Sequence, residues 1–149
     1  RLYLPSMQAG RWGRIINVAS LAGLVPGSAG HTMYGASKSF LVSFSQSLAA
    51  ENKERGVLVS ALCPGFTLSE FHDVNGTRDM ISELPSYMMM KPEPVVAGAL
   101  DAVERGLAVY VPGPWNKFVA GLTRLLPRPM AEQMIARNAR RFRRQAGDN

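Results

Sequence analysis

The chain has 149 residues, 46% hydrophobic and 19% charged, a balance typical of a globular protein with room for one core. No run of about eighteen apolar residues occurs, which argues against a transmembrane helix, and the lone Cys63 rules out an internal disulfide and fits a reducing, cytoplasmic compartment. The formal net charge of +6 is concentrated late, with seven arginines between Arg124 and Arg144 against one acid, Glu132; without zinc spacing, a helix-turn-helix pattern or an aromatic-basic RNA signature, this reads as a solvated basic helix and not as a nucleic-acid surface.

In chain order, residues 2–9 carry Leu2, Leu4 and Met7 at the spacing of one helical face, and Gly10 is the expected stop. Ile15, Ile16, Asn17 and Val18 are the short, apolar, β-branched run of a strand buried between helices. Asn17 must find a partner there, and a structural hydrogen bond is favoured over a catalytic role. Ser20 then falls at the carboxyl end of the strand, where open α/β sheets bind ligands. Residues 21–33, rich in glycine, alanine, serine and proline, predict a loop wrapping the site. His31 lies in that loop, either as a substrate contact or as a partly exposed loop histidine.

Tyr34-Gly35-Ala36-Ser37-Lys38 opens a long amphipathic helix. Four residues apart, Tyr34 and Lys38 share one face, and an ammonium held near a phenol favours the phenolate, so the two form a candidate acid/base pair. An isolated Tyr-x-x-x-Lys is usually just a helix face; the serine fourteen positions upstream makes the pair informative. Phe40, Leu41, Phe44 and Leu48 supply the predicted apolar stripe, and Gly56 ends the helix. Residues 57–63 are the second strand, with Cys63 buried in it. At Pro64-Gly65 the proline stops the ladder and the glycine lets the backbone turn over whatever lies at the strand end.

With Asn17-Val18-Ala19-Ser20, the Tyr34/Lys38 pair and Pro64-Gly65 in this order and at about the usual separations, the chain over roughly residues 3–112 resembles the short-chain dehydrogenases/reductases. The resemblance implies an α/β fold, the carboxy-terminal part of a doubly wound Rossmann-like parallel sheet with extra C-terminal helices. Residues 1–112 are then a partial catalytic domain and 113–149 a helical extension. It also implies NAD(P)-dependent hydride transfer between nicotinamide and a carbonyl or secondary alcohol. Tyr34 would transfer the proton, Ser20 would hydrogen-bond the substrate oxygen, and Lys38 would hold the nicotinamide ribose and favour the phenolate. Pro64, Gly65, Thr67 and Ser69 would hold the carboxamide, although the family more often has threonine at the last position. NADP is favoured slightly over NAD by family analogy alone. A homo-oligomer is implied as well, because the family often pairs the helix after the tyrosine across a dimer interface.

Dinucleotide folds cradle the pyrophosphate with a glycine-rich turn, and no such turn occurs in these residues. The expectation is therefore a carboxy-terminal part of a longer enzyme, inactive by itself, with the glycine motif and a fourth catalytic residue, an asparagine, preceding Arg1.

Farther on, Phe71, Met80, Leu84, Tyr87, Met88, Met89 and Met90 form an adaptable apolar set in the region that covers substrate in the resembling family, pointing to an apolar, medium-sized ketone or alcohol, with plain core packing as the alternative. Residues 91–94 introduce a helix whose Val95, Val96, Ala99, Leu100 and Val103 share a face, ending at Gly106. Residues 107–111 read as a third strand, closed by Pro112-Gly113-Pro114. Trp115, Phe118, Val119, Leu122, Leu125 and Leu126 then mark an amphipathic helix, followed by a proline break and the arginine-rich helix. That stripe either packs into the core or meets an anionic membrane peripherally. The competing reading of the whole chain is accordingly a catalytically silent fragment or interaction module, docking on a membrane surface or a protein partner through its C-terminal helices. The sequence contains no metal-ligand cluster, internal repeat or Gly-x-Ser-x-Gly elbow.

Overall fold

The computed structural model describes residues 2–30, 32–68 and 85–146, the last nine of these by backbone alone. His31, Ser69, Phe71, Met80 and Leu84 lie outside the described residues.

Three strands, β1 (Gly13–Val18), β2 (Val57–Leu62) and β3 (Val109–Tyr110), form a parallel sheet in the order β1-β2-β3. Parallel neighbours need crossovers, and helix α2 (Thr32–Asn52) supplies the one from β1 to β2, while α3 (Pro92–Glu104) precedes β3. Register runs from Gly13 opposite Val57 to Val18 opposite Leu62, then Ala61 opposite Val109 and Leu62 opposite Tyr110. The α/β fold with a parallel sheet is the one expected. The third strand is shorter than residues 107–111 because the Leu107 amide is used by the Ala102 carbonyl at the end of α3, and Pro112 has no amide to give.

β2 is the buried centre. Ala61 and Cys63 pack with Ala19 and Val42 of α2, whereas Leu62 packs with Val95 and Ala99 of α3, as alternation along a strand requires for opposite faces. β1 corrects the expectation of a buried strand: it is half-buried along most of its length and ends in an exposed Val18, since among the described residues it pairs with β2 alone. Asn17 does find a structural partner, donating to Ser45 Oγ at 2.9 Å.

Helix α1 (Leu4–Ala9) stops at Gly10 as expected, although Leu2 precedes it and is exposed. α2 starts at Thr32, so Met33 is helical and the preceding loop is shorter than residues 21–33. The helix ends in a 3-10 turn, Lys53–Arg55, capped by Gly56 in the left-handed region at φ 74°. Its inward face shares only Leu41, packed against the core, and half-buried Leu48 with the predicted stripe. Val42, Ser45 and Asn52 are buried, while Phe40 is 65% exposed and stacks on Phe44 with ring centroids 5.9 Å apart. The inward polar groups are satisfied: Ser45 Oγ donates to the Leu41 carbonyl at 2.7 Å, and Asn52 Nδ2 donates to that of Leu48 at 2.8 Å. Short, internally bonded side chains let the helix lie close on the sheet.

On α3 the buried residues are Val95, Ala99, Ala102 and Val103; Val96 and Leu100 are exposed, so the covered stripe is narrower than the predicted face. Arg14 of β1 reaches the end of this helix in an ion pair with Glu104 at 2.9 Å, and that hydrogen-bonded guanidinium holds the Glu104 carboxyl below its usual range. Helices α4 (Pro114–Leu125) and α5 (Arg128–Ala146) follow, separated at Pro127. No helix among the described residues is long and apolar enough to cross a membrane.

Candidate active site

The exits of β1 and β2 stay joined beyond the ladder: the Ala19 amide donates to the Leu62 carbonyl and the Leu21 amide to that of Pro64, both at 2.8 Å. Ser20 lies between these bonds, buried and extended, and its Oγ accepts the Ala22 amide at 3.2 Å, opening the 3-10 turn Leu21–Gly23. The turn is clamped to α2. Ser39 Oγ donates to the Gly23 carbonyl at 2.9 Å, and a Cβ on Gly23 would stand 2.7 Å from the Lys38 backbone. Any larger residue at position 23 therefore lifts the serine turn off the helix that carries Tyr34 and Lys38.

On that helix the Lys38 ammonium lies 5.6 Å from the centroid of the Tyr34 ring, and Tyr34 is 37% exposed. Lys38 Nζ also donates to the Val18 carbonyl at 3.0 Å, which draws it to the end of β1, two residues before Ser20. An ammonium has three donors, and this bond uses one. Ser20, Tyr34 and Lys38 thus gather at the carboxyl end of the sheet, linked through Val18 and through the Gly23–Ser39 clamp.

The loop after β2 is held from the opposite side. The Leu68 amide donates to the Met90 carbonyl at 2.9 Å and the Met90 amide to that of Phe66 at 3.0 Å, pairing Thr67 with Met90 in a parallel bridge. Thr67 Oγ1 reaches the Gly65 carbonyl at 3.4 Å. Behind Gly65 stands Asn116 of α4, whose carboxamide a Cβ at position 65 would strike. Asn116 is buried, donates from Nδ2 to the Pro112 carbonyl at 2.8 Å, and has the Met90 sulfur 3.6 Å from the same nitrogen. One side chain so joins the exit of β3, the bridge at Met90 and the Pro64-Gly65 turn. It lies outside the motifs that the sequence pattern singles out. Its signal was the spacing of Asn116, Ala120 and Thr123, small or polar residues on one helical face beside the apolar stripe.

Cys63, at the exit of β2, has its thiol pushed up to about 11, chiefly by burial and against a lowering contact with the Ser20 backbone. It stays a neutral thiol at ordinary pH and is no nucleophile. A hollow of about 500 Å³ lies between the serine loop and the first turns of α2, lined by Ala22, Val25, Ser28, Thr32 and Ala36 among others; Ser20, Tyr34 and Lys38 do not line it. Among the described residues no cluster of acids, histidines and cysteines is placed to hold a metal. Among the described residues the sheet end offers an ammonium, three hydroxyls (Ser20, Tyr34 and Thr67) and a glycine turn, a donor set suited to a ribose diol and a carboxamide.

Residues 1–79 match the short chain dehydrogenase family. The chain is 34% identical over 123 residues to nodulation protein G of Azospirillum brasilense, covering 79% of this chain and 48% of that protein. It is 42% identical over 82 residues to a 3-oxoacyl-(acyl-carrier-protein) reductase of Pseudomonas aeruginosa, covering 55% and 29%. Among solved structures it superposes on a short-chain dehydrogenase from Sphingobium yanoikuyae in complex with NADPH, with a TM-score of 0.64 and 27% identity over 83% of this chain and 49% of that one. It spans less than half the length of each of these three.

Proposed function

The chain belongs to the short-chain dehydrogenase family, and from that premise we propose that it forms the catalytic and substrate-binding part of an NAD(P)-dependent oxidoreductase acting on a carbonyl or secondary alcohol. The observation that carries this reading is the placement of Lys38, 5.6 Å from the Tyr34 ring and bonded to Val18 beside Ser20. Nicotinamide, when bound, supplies or accepts the hydride. Everything else falls to the side chains. In the reducing direction the Tyr34 hydroxyl gives its proton to the substrate oxygen, and in the oxidising direction the Tyr34 oxygen takes it back. The Ser20 hydroxyl donates to the same oxygen and fixes its position. Lys38 holds the ribose with the donors its bond to Val18 leaves over. Pro64, Gly65, Thr67 and Ser69 hold the carboxamide, with Asn116 bracing the turn from behind.

In this reading residues 1–112 are the catalytic part and 113–149 a helical extension. NADP is preferred over NAD; the support is family analogy and the NADPH complex of the Sphingobium relative. An apolar, medium-sized ketone or alcohol as substrate is supported by Tyr87 and half-buried Met88, Met89 and Met90 next to the Thr67 bridge. A homo-oligomer is supported by the exposed, stacked Phe40 and Phe44 on α2.

The test is turnover of apolar ketones with NADPH and with NADH by the protein that carries these residues. Tyr34→Phe should leave thermal stability unchanged and cut turnover by roughly 100- to 10,000-fold. Lys38→Ala should weaken cofactor binding as well as turnover, and Ser20→Ala should cost rate with less effect on cofactor affinity. Near-normal turnover by Tyr34→Phe would overturn the assignment.

A further inference from the structure

Helix α4 is two-faced in an unusual sense. The face it turns into the protein is Asn116, Ala120 and Thr123, while the apolar stripe of Trp115, Phe118, Leu122 and Leu125 runs along another side. Phe118 is 57% exposed and Leu125 85%. At the start of the stripe Tyr87 meets Trp115 edge to face at 5.3 Å, and Trp115 lies 5.8 Å from Phe118, so three aromatic rings cluster at the surface. A helix of a globular protein normally turns such a stripe inward, and a contiguous exposed patch of this kind marks a contact with something else.

Charge identifies the partner. Lys117 and Arg124 are exposed on α4, and α5 brings the arginines at 128, 137, 140, 141, 143 and 144 immediately after it. The only acid in residues 113–146 is Glu132, which is bonded to Arg128 at 3.0 Å. Pairing with a second copy would bring two such cationic segments together, which like-charge repulsion opposes. An anionic bilayer satisfies both properties at once: acyl chains accept the Phe118/Leu125 stripe, tryptophan and tyrosine suit the headgroup level, and arginines meet lipid phosphates and carboxylates. We propose that α4 and α5 form a docking face for an anionic membrane surface, with α4 lying in the plane of the interface.

The experiment is co-sedimentation of the whole protein with vesicles of phosphatidylcholine alone and of phosphatidylcholine containing about a third phosphatidylserine. Binding to the anionic vesicles should be at least about tenfold greater and should fall with added salt. In a Trp12→Phe background, Trp115 emission should shift to the blue on binding. Phe118→Glu with Leu125→Glu, both at exposed positions, should abolish binding while circular dichroism and thermal stability are kept, and Arg140→Glu with Arg144→Glu should weaken it at least severalfold. Equal binding to neutral vesicles, no binding to either, or binding indifferent to Phe118→Glu with Leu125→Glu would each overturn the proposal. So would concentration-dependent self-association that this pair of substitutions removes, because it would give the face to a second copy.

Discussion

Helices α3 and α4 are 13 and 12 residues long and both start at a proline, yet α3 buries apolar residues alone whereas α4 buries Asn116 and Thr123 beside Ala120. α3 presses Val95, Ala99, Ala102 and Val103 onto the sheet, where Val95 and Ala99 pack on Leu62 of β2. α4 stands beside the strand exits, where its neighbours are the Pro112 carbonyl, the Met90 sulfur and Gly65, and only a short side chain able to donate a hydrogen bond fits among them. Trp115, Phe118 and Leu125 are left outside. Amphipathicity therefore states that a helix has an apolar side, not that the same chain covers it.

The largest expected effect tests that contrast directly. Val103→Asp places a carboxylate between α3 and the sheet and should cost about 3–5 kcal/mol, whereas Leu125→Asp on the outer side of α4 should stay within about 0.5 kcal/mol. Urea midpoints measure both. A comparable loss at Leu125 would mean that the outer face of α4 is covered, and the contrast would fail.

A smaller effect is expected on the inner side of α4. Asn116→Ala removes the bond to Pro112 and the brace behind Gly65, at a cost of about 1–3 kcal/mol. Under the proposed function it should also raise the KM for the nicotinamide cofactor more than it lowers kcat. Thr123→Ala, on the same face but bonded only to the Val119 and Ala120 carbonyls of its own helix, should leave that KM unchanged. Equal shifts from the two substitutions would reduce Asn116 to ordinary packing.

The smallest effect reads how dry the covered side is. Burial raises the Cys63 thiol from 9.0 to about 11, so the folded state holds this proton more tightly than the unfolded chain does. The resulting stability is complete below pH 9 and is lost as pH rises through about 11. Cys63→Ala should flatten the decline of stability across that window relative to the parent protein. Parallel profiles would show that the thiol is open to water.

Much of the candidate site was legible because its signals are local. Tyr34 and Lys38 share a face through helical spacing alone, and Ser20 is delivered by a strand whose β-branched run announces it. Pro64-Gly65 marks the strand exit by its own backbone constraints. Phe40 and Phe44 misled for a related reason: their spacing is helical, but the side of α2 that meets the sheet was chosen by Val42, Ser45 and the Asn17 hydrogen bond, a contact 28 residues apart. Val96 and Leu100 have the spacing of the buried face yet are exposed, since periodicity does not say how wide a stripe the sheet covers.

What the sequence determined by itself was the order and type of the elements, their stops at Gly10 and Gly56, and the Ser20, Tyr34 and Lys38 pattern, because torsional preference and side-chain period act between neighbours along the chain. Only the tertiary structure decided which side of each helix is covered, that β1 is a half-buried strand, and that Asn116 stands behind Gly65. Those outcomes depend on burial and hydrogen bonding between residues far apart in sequence, where the partner is absent from any local window.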